Sequence, residues 1–485
     1  MNASPARDMG TLANRSTVFK YVVLITLSMG NFFFTLDGGM VSIGFPVIAE
    51  AFGTGPSLVV WVQSAFWLTS VALVMTTAWF ADVFGRKRMY IAGFTIYAFC
   101  LALPFFSPDL STLIAIRAVQ AIGGAMSLAS GMALATAAFP SDQRGKVVGI
   151  MSAPVGLGLG LGPWFGGILL DLFDWRALFW SRSLPTALLV VVTLFIVPSD
   201  RRSPGRVQLD YLGPFVLAGI AASLLLAINF AGRGGIDQPF VWVMAGLVPF
   251  LSVLLFMVER RVPRPVLDMA LFKNRVFSVA TASLIFHFIP QGFIIFMGAF
   301  FLLDGVGLSA AKAGLLLAAF QAFRVFIAPA IGMLSDKIGT RWPTIAGMAV
   351  MGMGFLFLSF LGVDSSLWLI GIGLGVAGIG SSIFETPNTS DIMGSVPRER
   401  LSAATASFTI GRQVSLSLGI TLGGAIYVLR ETAWQGRLAA DGLTGSALAT
   451  GAVGGAFADA MLVAAVISLL GVVVTSMRGR KLAGV

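Results

Sequence analysis

Asp37, Arg117, Arg182, His287, Arg324, Glu385 and Arg412 stand inside stretches of chain that are otherwise apolar. A charge at the centre of a bilayer costs about 3 kcal/mol on insertion scales, so such residues mark ion or substrate pathways, or groups held by a partner. The chemistry they offer is proton binding and counter-ion exchange. A carboxylate in a poorly solvated cavity can gain and lose a proton as its surroundings change, which makes Asp37 the leading proton carrier. The competing reading puts Asp37 at the water-exposed end of its span. Glu385, beside Thr386-Pro387-Asn388 where a helix must bend, is a second carboxylate of this kind. Arg117 suits a partner for an acid or for backbone carbonyls. Arg182 lies nearer the outer surface, and His287, the single histidine, serves either packing or proton transfer. Arg182, His287, Arg324 and Arg412 are candidate cavity residues, whereas Asp391, near the end of a run, reads as structural.

Two further patterns concern movement. The segment Ala78–Arg88 carries Asp82, Gly85 and the cations Arg86, Lys87 and Arg88, a tight turn that can cap a helix and sit at an anionic surface. The same pattern recurs from Gly332 to Arg341 with Asp336, Gly339 and Arg341. Farther along, Gly158, Gly162 and Gly166 form a strip at i, i+4 and i+8 that allows a second helix to approach closely. Pro163 and Gly167 stand beside the strip, and Pro163 removes one backbone hydrogen bond, which permits a bend.

The elements that position these residues are apolar spans. The chain has 485 residues, of which 57% are hydrophobic and 11% charged, against roughly 25% charged in soluble domains. A spanning helix takes ~20 mostly apolar residues, and fourteen such runs fill the chain: 21–43, 58–81, 89–106, 113–137, 147–170, 178–197, 212–230, 240–258, 276–303, 313–334, 344–361, 367–393, 402–428 and 458–477. The expected organisation is an all-α polytopic membrane protein. It consists of a polar tail at 1–20, a six-helix bundle at 21–197, two inserted helices within 198–258, a linker at 259–275, a second six-helix bundle at 276–477 and a tail at 478–485. The Gly/Ala-rich segment 429–457 reads as a long, mobile outer loop.

Charge placement sets the orientation. With loops assigned alternately to two sides, 23 Lys and Arg fall on the side holding both termini, five on the other and four within spans. That asymmetry predicts cytoplasmic termini and accounts for the net charge of +10 without a nucleic-acid partner. The polar start of the chain has no cleavable-signal layout. One cysteine, Cys100, leaves no disulfide framework or thiolate metal site. Gly373, Gly375 and Gly378 fit a dinucleotide fingerprint but lie inside a span without the strand that motif requires. No phosphate-binding loop, paired nucleophile and base, or cofactor site is expected, so an enzyme is disfavoured. A sensor or scaffold would need a soluble output domain, for which the spans leave no room.

The chain resembles the major facilitator superfamily, specifically its fourteen-span drug:proton antiporter branch, over residues 20–478. The 78–88 loop is similar to that superfamily's motif A, and Arg117–Ala125 to motif B, whose arginine the family links to proton coupling. Gly158–Gly167 is similar to motif C, associated with export, and Leu36–Val41 to the first-helix motif that keeps an acid. There are departures: Ala78 stands where motif A opens with Gly, Gly38-Gly39 where a polar pair is usual, and Arg182 where an Asn is usual. The resemblance implies a secondary transporter of the bacterial inner membrane. It would export amphipathic toxic compounds against protons, with Asp37, Arg117 and Glu385 coupling the two. The alternative is a proton-coupled carrier of organic anions, fatty acids or siderophore-like molecules. Expected partners are the lipid bilayer and small amphipathic substrates, with room for a periplasmic adaptor and outer-membrane channel, and the expected state is a monomer.

Overall fold

A computed structural model describes residues 17–137, 139, 144–198, 212–235, 237–262, 268–397 and 400–478. Its α-helices are α1 (Thr17–Ile43), α2 (Phe45–Ala51), α3 (Pro56–Phe84), α4 (Arg86–Ala102), α5 (Leu110–Ala137), α6 (Arg144–Leu172), α7 (Ala177–Ile196), α8 (Gly213–Gly234), α9 (Pro239–Glu259), α10 (Arg275–Phe300), α11 (Ala310–Ile338), α12 (Arg341–Leu358), α13 (Leu367–Gly394), α14 (Leu401–Ala440) and α15 (Gly445–Ser476). All but the short α2 belong to fourteen segments long and apolar enough to cross a membrane.

Which helix pairs touch follows a repeated pattern, here described as two bundles. Within α1–α7, α1 lies on α6 and α7, α3 on α5, and α4 on α5 and α7. Within α10–α15 the corresponding pairs recur: α10 with α14 and α15, α11 with α13, α12 with α13 and α15. The seam between bundles is made by the two equivalent crossings α6 on α11 and α3 on α14. Helices α8 and α9 pair with each other, and α8 lies against α3 and α14 at the seam.

The two repeated loops take the same form. Gly85 (φ +101°) and Gly339 (φ +83°) have the left-handed backbone that glycine alone adopts without strain. Two residues after each glycine a cation reaches the end of its bundle's last spanning helix. Lys87 Nζ donates to the Leu194 carbonyl near the end of α7 (2.8 Å), and Arg341 Nη2 to the Ser476 carbonyl at the end of α15 (3.1 Å). A helix C-terminus carries partial negative charge, so these cations pin the loop to the helix end.

Two expectations are corrected. The segment 429–457 is not a long loop, since α14 runs to Ala440 and α15 begins at Gly445. Residues 429–440 are rich in helix formers, and Asp459 on α15 accepts from Arg430 Nε and Trp434 Nε1, both at 2.7 Å, which ties the extension down. Arg478, assigned above to a tail, is folded into the second bundle. It donates to Asp391 Oδ2 at 2.5 Å and to the Asn388 side-chain oxygen, and Thr340 Oγ1 donates to the other Asp391 oxygen at 2.8 Å. Asp391 is thus held by groups from just past the end of α15 and from the start of α12.

Candidate functional site

Asp37 lies in the interior of the first bundle, with its side chain fully buried between two arginines. Arg117 from α5 faces the carboxylate with both terminal nitrogens, Nη1 3.0 Å from Oδ1 and Nη2 2.7 Å from Oδ2. Arg182 from α7 approaches Oδ1 at 2.5 Å and also donates to the Leu178 carbonyl from Nε (3.0 Å) and Nη2 (2.6 Å). Arg117 is further held by the Val62 carbonyl (3.1 Å), the Gln120 side chain (2.8 Å) and the face of Phe66, 4.3 Å from its ring centre. Gln120 also donates to Asp37 at 3.3 Å. Buried charges persist only when paired and hydrogen-bonded. Here two cations share one anion, and the centre keeps a net positive charge. The water-exposed placement of Asp37 is therefore excluded in this conformation, and Arg182 is a direct partner of Asp37 rather than a residue of the outer surface.

A second polar centre lies in the second bundle. His287 on α10 is buried, with Nε2 3.8 Å from Glu385 Oε2 on α13. The same nitrogen is 2.7 Å from Gln291 Nε2 and 3.5 Å from Ser381 Oγ, and the ring stacks on Phe384 with centroids 4.3 Å apart. Helices α10 and α13 occupy the places in their bundle that α1 and α5 hold in theirs. The acid is on the first helix and the cation on the fourth in one bundle. In the other bundle the acid is on the fourth helix, and the first carries a histidine whose Nε2 accepts from Gln291.

Between the bundles lies a cavity with about 900 Å³ of empty volume, open solvent included. Its wall takes Gly38, Gly39, Gln63 and Trp67 from the first bundle and Phe288, Gln291, Gln321 and Arg412 from the second. No carboxylate lines it among the described residues. Of the sequence-predicted cavity cations, Arg412 is in the wall, Arg182 and His287 stand behind it, and the side chain of Arg324 lies outside the described residues, as does that of Asp82.

The glycine strip of α6 explains how α1 is held beside this cavity. A Cβ on Gly158 would come 2.8 Å from Leu36 N, one on Gly162 2.7 Å from Gly39 Cα, and one on Gly166 3.0 Å from Met40 Cα. The strip thus seats the helix that carries Asp37, and Gly39 is needed because Pro163 and Gly162 press against it. The neighbouring face of α6 meets the other bundle. Gly167 packs on Ala310–Ala311, and Gly314 packs on Pro163–Trp164. Beyond them Asp171 closes the seam, its two oxygens accepting from the Ala310 and Ala311 backbone N–H groups at 2.8 and 3.0 Å. Those are orphan donors at the start of α11, so one bundle caps a helix of the other. These contacts gather at the end of the molecule opposite the termini.

Gln63, Gln291, Asp171 and Arg478 were missed from the sequence. The glutamines bear no charge to mark them in an apolar run, and Asp171, at the end of a span, looks like any loop acid.

The family model described as Major Facilitator Superfamily matches residues 27–420 and again 279–477. The chain belongs to the major facilitator superfamily. Among its relatives is the riboflavin transporter RibZ of Clostridioides difficile, 32% identical over 401 residues, or 82% of this chain and 86% of that protein. Another is the multidrug transporter protein MdtP of Bacillus subtilis, 30% identical over 419 residues, 85% of this chain and 76% of that one. The multidrug resistance protein Stp of Mycobacterium tuberculosis is 28% identical over 406 residues, 84% of this chain and 75% of that one. The fold is that of solved transporters, including a bacterial homologue of the human lysosomal transporter Spinster in an inward-facing, unoccupied conformation. That structure has a TM-score of 0.64 at 18% identity and covers 96% of this chain and 98% of its own. Family and relatives alike are transporters. As a major facilitator protein, this chain holds Asp37 between two arginines in its first bundle and the His287–Glu385 contact in its second, with the cavity between them.

Proposed function

We propose that this chain is a proton-coupled exporter of small amphipathic compounds in the bacterial inner membrane, with both termini cytoplasmic and no cofactor beyond the coupling proton. The observation that carries the reading is Asp37, buried between Arg117 and Arg182 and one side chain away from the cavity wall. With the termini cytoplasmic, the seam closed by Asp171, Gly167 and Gly314 seals the outside, and the cavity belongs to the inward-facing state. In that state Asp37 is ionised and paired. After the bundles rock, a proton from outside neutralises Asp37 and cancels both ion pairs, which frees the arginines and lets substrate leave. Return to the inward state delivers the proton to the cytoplasm. One proton moving through ~100 mV supplies about 2.3 kcal/mol, or roughly fifty-fold accumulation before any pH gradient adds to it. The two repeated loops and the α6 strip would transmit the motion.

The cavity's charge narrows the substrate. Its wall holds Arg412 and no carboxylate among the described residues, and the centre behind it is net positive. Neutral and anionic compounds are favoured over lipophilic cations, in line with a relative named for riboflavin.

The test uses inside-out vesicles acidified inside by respiration, with a permeant acridine reporting the pH gradient. Ethidium, riboflavin and carboxyfluorescein are added in turn. Partial collapse of the gradient by riboflavin or carboxyfluorescein, absent from vesicles without the protein, supports the reading. Collapse by ethidium alone rejects the charge argument, and accumulation of any of the three without proton efflux rejects antiport.

A further inference from the structure

Two cavity glutamines connect the empty space to the buried charges, one in each bundle. Gln63 on α3 is 1% exposed, lines the cavity and accepts from Arg117 Nη2 at 3.4 Å through Oε1. A guanidinium only donates, so this contact fixes which way the amide lies: the oxygen faces Arg117 and the NH₂ faces away. Gln63 Nε2 is buried and has no hydrogen-bond partner. Its neighbour across the wall is Gly38, whose missing side chain leaves the space in front of Nε2, with a built Cβ 3.8 Å from that nitrogen. A buried donor without an acceptor is destabilising, and a ligand carbonyl in the cavity would satisfy it.

Gln291 on α10 is the counterpart. It is 2% exposed and lines the same cavity. Its Nε2 is committed away from the cavity, to His287 Nε2 at 2.7 Å and Ser381 Oγ at 3.2 Å. That leaves the carbonyl oxygen as the end of the amide available to a ligand donor. Trp67 and Phe288 supply flat apolar faces in the same wall.

We infer that Gln63 and Gln291 are the substrate's hydrogen-bonding contacts. Together they select a planar, uncharged aromatic compound that carries a carbonyl for Gln63 Nε2 and an N–H for Gln291 Oε1, as a lactam or an imide does. The inference rests on the exporter reading for its biological sense but not for its test. It also gives that reading a physical link, because Gln63 touches both the ligand and Arg117, and Gln291 both the ligand and His287. Occupancy that pulls on Gln63 pulls on the Arg117–Asp37 pair.

The test is equilibrium binding of 4-amino-1,8-naphthalimide to the full chain in lipid nanodiscs, by fluorescence anisotropy against empty nanodiscs and with no proton gradient. The N-methyl imide and ethidium are measured alongside. Wild type binds the free imide at least ten-fold tighter than the N-methyl compound and tighter than ethidium. Gln291→Leu erases the preference for N–H over N-methyl, and Gln63→Leu weakens both imides about ten-fold. Equal binding of the two imides by wild type, or tighter binding of ethidium, overturns the proposal without any variant. Unchanged affinity in Gln63→Leu overturns the Gln63 contact. Imide binding that behaves as described beside vesicles showing no proton efflux sinks the exporter reading and leaves this one standing.

Discussion

The seam between α6 and α11 predicts that one methyl group can change which side of the transporter is open. At Gly314 a Cβ would sit 2.6 Å from the Pro163 carbonyl carbon and 3.0 Å from Trp164 Cα. Both are backbone atoms of the opposite bundle, so no side chain can turn aside. Relief to the ~3.4 Å of ordinary contact requires the bundles to part by about 1 Å at this point. Overpacking of this kind costs roughly 1–3 kcal/mol. The cost falls on the conformation in which α6 and α11 touch at the end opposite the termini, and not on one in which they have separated. Gly314→Ala therefore multiplies the population open at that end by about 5 to 150. The assay is double electron–electron resonance between spin labels at Asp174→Cys and Ser366→Cys, on the two bundles at that end, in a Cys100→Ser background. The distance distribution in Gly314→Ala should gain a longer component that the parent lacks. Gly246→Ala, where a Cβ meets nothing within 4 Å, should leave it unchanged. An unaltered distribution in Gly314→Ala, in a protein that still folds, would refute the assignment of this seam as the closure.

Three other outcomes follow from the same geometry. Asp171→Ala removes the cap on two α11 backbone donors, a loss of about 1 kcal/mol. It should shift the same distance distribution in the same direction, and by less. Arg478→Ala removes a buried ion-pair partner of Asp391, and breaking a buried pair costs roughly 3–5 kcal/mol, so the melting temperature in detergent should fall by several degrees. A melting curve matching the parent would show that the network carries no stability. Gly85→Ala and Gly339→Ala force a side chain into φ near +101° and +83°, about 1–2 kcal/mol each. Both should lower the melting temperature alike if the two loops are equivalent, whereas a loss confined to one would break the repeat.

The architecture was readable because the signals for it are local. An apolar run of spanning length and a glycine followed two residues later by a cation each need only a few neighbouring residues. The pairing of the charged residues was not readable. Asp37 and Arg117 were both conspicuous, yet whether they meet depends on how α1 and α5 are rotated about their axes, and the glycine strip of α6 sets that rotation for α1 through Gly39. The place of Arg182 along α7 tells nothing of which way its side chain turns, and it turns into the bundle onto Asp37. The segment 429–440 misled because Gly and Ala in the same stretch suggested a loop, while the tie that makes it a helix, Asp459, lies on the following helix. Gln63 and Gln291 left no trace in hydropathy or charge, and their role emerges only from which side of each amide is already occupied.

The central claim is that a proton reaching Asp37 drives uphill transport, and Asp37→Asn tests it most directly. Asparagine keeps the shape of the side chain and cannot ionise. The variant, reconstituted in proteoliposomes with a transported compound identified in the vesicle panel, should still exchange labelled for unlabelled compound across the membrane at equilibrium, because rocking needs no net proton movement. It should fail to accumulate that compound under an imposed pH gradient. Accumulation by Asp37→Asn at the parent's level would contradict the account and move the coupling proton elsewhere, with Glu385 and His287 the groups left to carry it.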